Sequence, residues 1–371
     1  MQCSSSCMAA SARCRRDPYW LMLAFIAAPA MLYATDPPAP MDQVSTLTSD
    51  VPAWRIRLLD LGGETRFNYM DRQDGPVTDR GLQYHLGIRA RIDLLKSGNT
   101  YLTIRAETGK GFDNSWNNTG VGLGRGQAIF NVKAISLHQK LTSRLEAEAG
   151  GLDFDRGAGT DAIYASGDGH MTGYRAVFNG RSDEVLEKIS FTAAYVGDFD
   201  KPNFFSRSRM DRVNYAQLLA AERFSEQLYG SEEVDSIRDA IFVRAAVRCP
   251  RLWELDDVTV EAVTRTTDRR RFAWSSSVSR HWTKDLRWRT DLIYSDLPYE
   301  FYVVNGQRVF FNRGEIDVGK RLALGAAYRL TPNFEAGIFA ARLLDSTPSK
   351  RWIAQVGLSY QFAGLVNQFL R

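Results

Sequence analysis

The run Trp352-Ile353-Ala354-Gln355-Val356-Gly357-Leu358-Ser359-Tyr360-Gln361-Phe362 decides how this chain is read. Its even positions are apolar: Trp352, Ala354, Val356, Leu358, Tyr360 and Phe362. Gln355, Gly357, Ser359 and Gln361, on odd positions, are small or polar. Alternate side chains of a β-strand point to opposite faces, so this strand has one greasy face and one wet face. Aromatic rings close the greasy face at both ends, about ten residues apart, the length a tilted strand needs to cross a bilayer. A half-buried strand of a soluble sheet alternates too, but without paired aromatic girdles.

Composition fits that reading. The 371 residues have a mean hydropathy of -0.30. Past the N-terminus no segment approaches the ~20 apolar residues of a spanning helix, which excludes a helical membrane bundle. A membrane barrel escapes hydropathy, because only every second strand residue meets lipid. The 12% aromatic content and 29 glycines are compatible with one.

The first 34 residues read as an export signal: a basic region at Arg13, Arg15 and Arg16, the uncharged run Tyr19 to Ala34, and small residues at Ala28-Pro29-Ala30 and Tyr33-Ala34 for cleavage. Removal would take Cys3, Cys7 and Cys14 and leave Cys249 alone, so no internal disulfide is expected in the mature chain. It would lower the formal net charge of +4 only slightly, and nothing points to nucleic acid. Residues 35–52, with Pro37, Pro38, Pro40 and Pro52, read as a periplasmic leader. Residues 53–362 form the expected barrel and 363–371 a C-terminal periplasmic tail.

Fourteen strands are expected from Trp54 onward, with 12–18 compatible with the soft boundaries. Tight connections at Lys96-Ser97-Gly98-Asn99, Leu141-Thr142-Ser143, Thr283-Lys284-Asp285 and Leu330-Thr331-Pro332-Asn333 carry turn residues. Between them fall long connections: Lys110 to Gly126, Leu152 to Gly169, Asp198 to Ile237 and Pro298 to Arg313. Short turns on one side and long loops on the other are the pattern of an antiparallel up-and-down outer-membrane barrel. Around Ala134-Ile135-Ser136-Leu137 the alternation slips, which suggests a bulge or a misplaced strand boundary. Lys320 falls on the apolar face, which places it near an interface. Tyr215-Ala216-Gln217-Leu218-Leu219-Ala220-Ala221-Glu222-Arg223-Phe224 is rich in helix formers, so a helix is expected inside the longest loop, on its surface or as a lid.

No catalytic constellation, cofactor motif or metal-ligand spacing stands out. His85, His138, His170 and His281 lack ligand spacing among themselves, and no G-x-S-x-G elbow occurs. Thr172 beside His170 and Ser279 beside His281 would be the pairs of a barrel enzyme acting on lipid. The glycines of residues 120–126 lack the helix a phosphate cradle needs. Asp153-Phe154-Asp155-Arg156-Gly157-Ala158-Gly159-Thr160-Asp161 has acidic spacing, either for Ca²⁺ or for a loop folding toward a pore.

A charge on a lipid face costs ~2–4 kcal/mol at the midplane for Arg or Lys, so the charged face must look inward. Expected pore-lining residues are Arg66, Arg89, Arg91, Arg105, Glu107, Lys133, Glu146, Glu148, Arg244, Arg287, Arg289, Asp291, Asp317 and Arg321. Arg265, Arg329, Glu64, Asp93 and Glu261 share that face. Cations outnumber carboxylates, which gives a slight anion preference unless cross-strand ion pairs fill the interior.

The chain resembles a bacterial outer-membrane porin, and three stretches resemble the alginate-export family: Glu64-Thr65-Arg66-Phe67-Asn68-Tyr69, Gly87-Ile88-Arg89-Ala90-Arg91, and Gly150 to Phe178 with its Gly-Leu-Asp-Phe-Asp-Arg-Gly start. The resemblance implies a lumen lined by arginine and lysine for acidic polysaccharide. Such exporters have eighteen strands; this chain is shorter and runs past Phe362. The sequence thus points to an outer-membrane barrel passing small polar or anionic solutes, in contact with outer-membrane lipid. A lipid-acting barrel enzyme and a closed assembly barrel are the alternatives, and oligomeric state is not legible.

Overall fold

The last strand, Trp352–Gln361, pairs antiparallel with the first, from Gly62↔Gln361 to Asp71↔Trp352. That pairing closes a sheet whose other members each pair with their sequence neighbours. The computed structural model describes residues 52–71, 79–109, 117–118, 130–158, 170–198, 201, 203–237, 240–266, 271–296, 302–304, 307–309, 319–344 and 352–369.

The barrel has sixteen strands. They are β1 Pro52–Asp71, β2 Asp79–Leu95, β3 Thr100–Glu107, β4 Asn131–Lys140, β5 Leu145–Asp153, β6 His170–Asn179, β7 Leu186–Tyr195 and β8 Tyr215–Ser225. β9 Leu228–Ile237, β10 Ala240–Pro250, β11 Asp257–Arg265, β12 Arg271–His281, β13 Leu286–Ser295, β14 Gly319–Thr331, β15 Phe334–Leu343 and β16 Trp352–Gln361 complete it. A two-residue strand at Asn117–Asn118 pairs with β2, and a separate hairpin joins Tyr302–Val304 to Gln307–Val309. Two short helices are described, α1 Phe204–Arg207 and α2 Ala363–Phe369.

The count corrects the expected fourteen, and the physical reason lies in one segment. Residues 215–224, expected as a helix in a loop, form β8, which turns at residues 226–227 into β9. Alanine, leucine and glutamine favour helix only weakly, and pairing with strands on both sides overrides that preference. The period is two: Tyr215, Gln217, Leu219 and Ala221 are buried, while Leu218 and Phe224 are exposed outward. The expected 198–237 loop is therefore residues 196–214 alone.

All even-numbered connections of the barrel are short, among them 96–99, 141–144, 226–227 and 332–333; most odd-numbered ones are longer, including 154–169 and 196–214. One end of the barrel thus carries short turns and both chain ends of the strand array. The outer face is apolar between them, with Phe67, Phe191, Leu218, Val260, Ile338 and Val356 all exposed. Aromatics ring that face at the short-turn end, where Trp282 lies 6.2 Å from Trp288 and Phe334 5.5 Å from Phe362. Trp274, Tyr294 and Trp352 sit toward the other end. Lys320 is exposed on the outer face at the second residue of β14, beside the long-connection end. The expected bulge is present: Arg105 pairs with Ala134 and Ala106 with Val132, which leaves Lys133 as the extra residue.

β1 is staggered against β16, so residues 52–61 find a strand partner only in β2. The chain after β16 covers that open edge. Phe362 N–H donates to Leu61 O at 2.7 Å, and from α2 the Asn367 side chain both accepts from Leu58 N–H (3.0 Å) and donates to Leu58 O (2.6 Å). An unpaired edge is thereby satisfied without a further strand.

Candidate functional site: a narrowed, charged lumen

The register fixes which side chains face inward. Glu64, Arg66 and Asn68 on β1 pair with Ser359, Gly357 and Gln355 of β16, and their β2 partners His85, Gln83 and Gly81 share the same face. Carried round the barrel, this parity puts Arg66, Arg89, Arg91, Arg105, Glu107, Glu146, Glu148, Arg244, Arg287, Arg289, Asp291 and Arg321 on the inner face. Lys133 joins them through its bulge, 1% exposed. Asp317 lies outside the described residues, as do the glycines 120–126.

Exposure divides this inner surface into two levels. Inward side chains toward the long-connection end are buried, among them Asn68, Gln83, Glu107, Arg244, Glu261, Ser275 and Arg321. Toward the short turns part of the circumference opens, the side chains of Arg89, Arg287 and Arg289 being 41%, 51% and 47% exposed, while His138, Ser231 and Thr259 stay buried. A cavity of about 390 Å³ in that open half is lined by Glu64, Arg66, Arg287, Arg289, Gln355 and Ser359.

Part of the narrowing is residues 153–158, which leave β5 and turn into the barrel. β5 parts from β4 at Gly150, whose φ of 122° favours glycine and where a Cβ would stand 2.2 Å from Ile135 O, while it stays paired with β6 as far as Asp153. Asp153 then faces His170 Nδ1 at 2.8 Å, Arg105 at 3.5 Å and Arg89 at 3.8 Å. Phe154 packs edge-on against Tyr215, ring centroids 5.6 Å apart. Asp155 accepts from Lys188 Nζ at 2.6 Å and from Ser190 Oγ, and its backbone carbonyl accepts from Gln217 at 3.0 Å. The far end reaches β9, where Ala158 N–H donates to Ser231 Oγ at 2.9 Å. A Cβ on Gly157 would meet Ser231 Cβ at 2.1 Å, so only glycine lets the segment lie this close to the wall. The segment therefore bridges inward faces from β3 to β9.

Charge holds it there. Burial alone would push the Asp155 carboxyl up, but Lys188 and Arg175, with the hydrogen bonds from Lys188 and Ser190, hold it below the ordinary carboxylate value. The acidic spacing expected to suit either Ca²⁺ or an inward loop thus has its two described carboxylates engaged with basic side chains. α1 seals the neighbouring wall: Arg207, 1% exposed, donates to the carbonyls of His170 and Lys133, with its pKa brought down by burial to about 10.

Much of the inner charge is paired along or across strands. Arg91 meets Asp93 at 2.6 Å, Arg289 meets Asp291 at 2.8 Å, Arg105 bonds Glu107 and Arg287 reaches Glu335 at 3.3 Å. Arg244 lies between Glu233 (2.8 Å) and Glu261 (2.7 Å), all three side chains at most 3% exposed. The histidines of the two His/hydroxyl pairs that a lipid-acting barrel would use have other partners: His170 belongs to the loop anchor, and His281 Nδ1 lies 2.9 Å from Asp256 of a short turn. Asp153 and Asp155 follow the pore-ward alternative that the sequence offers for residues 153–161, whereas Arg175 and Lys188 are absent from the expected lumen residues.

No protein-family model matches the sequence, and no curated protein does. Solved structures do match. A multiply substituted variant of the porin from Rhodopseudomonas blastica aligns with a TM-score of 0.54 at 10% identity, over 83% of this chain and 100% of that one. A second variant of that porin aligns at 0.53 and 11%, and a third at 0.51 and 11%, with the same coverage. At this identity the likeness is one of fold: a closed, antiparallel, sixteen-stranded, up-and-down barrel of porin type.

Proposed function

We propose that this protein is an outer-membrane channel that lets small polar solutes, anions preferentially, diffuse through its lumen. The observation that carries the reading is the two-level interior, open and arginine-bearing at the short-turn end and narrowed by an anchored loop above it. Sixteen strands enclose more space than their own side chains fill. The apolar outer band between aromatic rings suits hydrocarbon flanked by two interfaces. By that reading the short turns face the periplasm and residues 1–34 are the export signal. Arg287 and Arg289 meet the solute first from that side, Arg66 stands deeper, opposite Gln83, and Arg89 stands where the open half meets the loop. Fixed cations set in a narrowed passage select by charge sign.

Passage of acidic polysaccharide, implied by the resemblance to alginate exporters, asks for a wide continuous groove. The folded-in loop favours small solutes instead. Liposome swelling separates the two. Vesicles carrying the refolded protein should swell in small sugars and small organic anions at rates that fall steeply with solute mass. Swelling no faster than in empty vesicles refutes the channel.

A further inference from the structure

Sequence reading assigned no metal ligands, yet pairing of β4 with β5 brings His138 opposite Glu148 and next to Glu146 on the lumen face. His138 Nδ1 lies 3.3 Å from Glu146 Oε1 and 3.5 Å from Glu148 Oε1, and all three donor atoms fall within 4.8 Å of one another. Four donors at 2.0–2.1 Å around a tetrahedral ion stand about 3.3–3.4 Å apart, close to the two nitrogen–oxygen distances here. His138 is 9% exposed, and its Nδ1 lies within ion-pair distance of both carboxylates.

The surroundings are those of a ligand set. Ser136 Oγ lies 2.9 Å from His138 Nε2, which fixes the ring with Nδ1 toward the glutamates. Tyr101 stacks on the imidazole, centroids 4.5 Å apart, and its hydroxyl donates to Glu146 Oε1 at 2.7 Å. Arg175 takes the other oxygen of Glu148, Oε2, at 3.2 Å, leaving Oε1 facing the histidine.

We propose that His138, Glu146 and Glu148 form a site for a divalent transition metal of the Zn²⁺ type on the lumen wall. One nitrogen and two carboxylate oxygens suit a borderline ion. Ca²⁺ takes six or more oxygens and Mg²⁺ a near-octahedral oxygen shell, so neither fits three donors that include imidazole. The site lies near the short-turn end, where a bound ion places positive charge beside the passage.

The test uses the full mature chain without a polyhistidine tag, refolded in detergent, stripped with chelator and titrated with Zn²⁺ by calorimetry at pH 7.5. The same preparation is titrated with Co²⁺ in the visible range. Expected are one equivalent of Zn²⁺ bound at micromolar concentration or below, a Co²⁺ spectrum of low coordination number, and no displacement by millimolar Ca²⁺ or Mg²⁺. His138→Ala and Glu148→Gln should each weaken binding at least 100-fold, and Ser136→Ala about 10-fold, the lower end for loss of a ligand-orienting hydrogen bond. Heat-modifiable migration on gels confirms that each variant folds. Should His138→Ala not fold, the paired variants Glu146→Gln and Glu148→Gln carry the test. No stoichiometric binding overturns the proposal. So does binding that survives in His138→Ala and disappears in Cys249→Ser.

Discussion

Replacing Asp155 by alanine should loosen the inward segment without disturbing the barrel. The carboxylate accepts a 2.6 Å hydrogen bond from Lys188 and another from Ser190, with Asp155 and Lys188 side chains only 13% and 25% exposed. Hydrogen bonds to a charged group contribute ~1.5–3 kcal/mol each, and the truncation also strands Lys188. Gln217, Ser231 and the Asp153 cluster continue to hold the segment, so about 3 kcal/mol is a reasonable loss for the loop-in state. At 1.4 kcal/mol per factor of ten, the detached population rises roughly 100-fold. Arg156, inside the segment, offers trypsin a cleavage site that only detachment exposes. When opening and reclosing are fast, cleavage tracks the open population. Cleavage after Arg156 should accelerate about 100-fold in Asp155→Ala while heat-modifiable migration stays native. Single-channel records should gain brief excursions to higher conductance. Wild-type cleavage rates with quiet traces would refute the anchoring argument.

Acidification should act in the same direction. The Asp155 carboxyl titrates below its ordinary value in the folded protein, so its anchoring is fully present above the ordinary carboxylate pKa of about 3.9 and fades as pH falls through the depressed value. Current noise is therefore expected to be flat from pH 8 to 5 and to rise only at still lower pH; a rise centred near pH 6 would contradict this. Arg244→Ala leaves Glu233 and Glu261 buried side by side and should cost about 3–5 kcal/mol of barrel stability, read as a lower midpoint in urea unfolding from vesicles. Val356→Arg, at a lipid-facing site 61% exposed in the isolated barrel, should cost ~2–4 kcal/mol in the same assay, whereas Gln355→Arg on the inner face should cost far less. Asn367→Ala removes both hydrogen bonds to Leu58 and should speed proteolysis of the C-terminal segment, with folding of the barrel unchanged.

How legible each part was follows from what enforces it. Lipid and lumen impose strict alternation on strands such as β16 and β2, so Val356 against Gln355 and Ile88 against Arg89 could be assigned by eye. The slip near Ala134 marked the Lys133 bulge for the same reason. β8 was hidden because Ala216, Leu218, Ala220 and Leu219, Ala221 make both of its faces apolar or small, erasing the period-two signal. Its pairing energy comes from β7 and β9, far from any local window. The inward path of residues 153–158 rests on contacts between Asp155 and Lys188 or Ala158 and Ser231, pairs that no spacing rule joins. That His138 meets Glu146 and Glu148 was equally invisible, since the site needs the register of two strands across a turn.

In the proposed channel a narrowed, arginine-bearing passage runs through the barrel. Single-channel recording of the refolded mature protein in a planar bilayer, under a salt gradient, tests it most directly. Discrete, stable steps with a reversal potential on the anion side are expected. Neutralising Arg66, Arg287 and Arg289 together should move that potential toward zero without abolishing the steps. A folded, heat-modifiable protein that inserts and shows no steps would contradict the account.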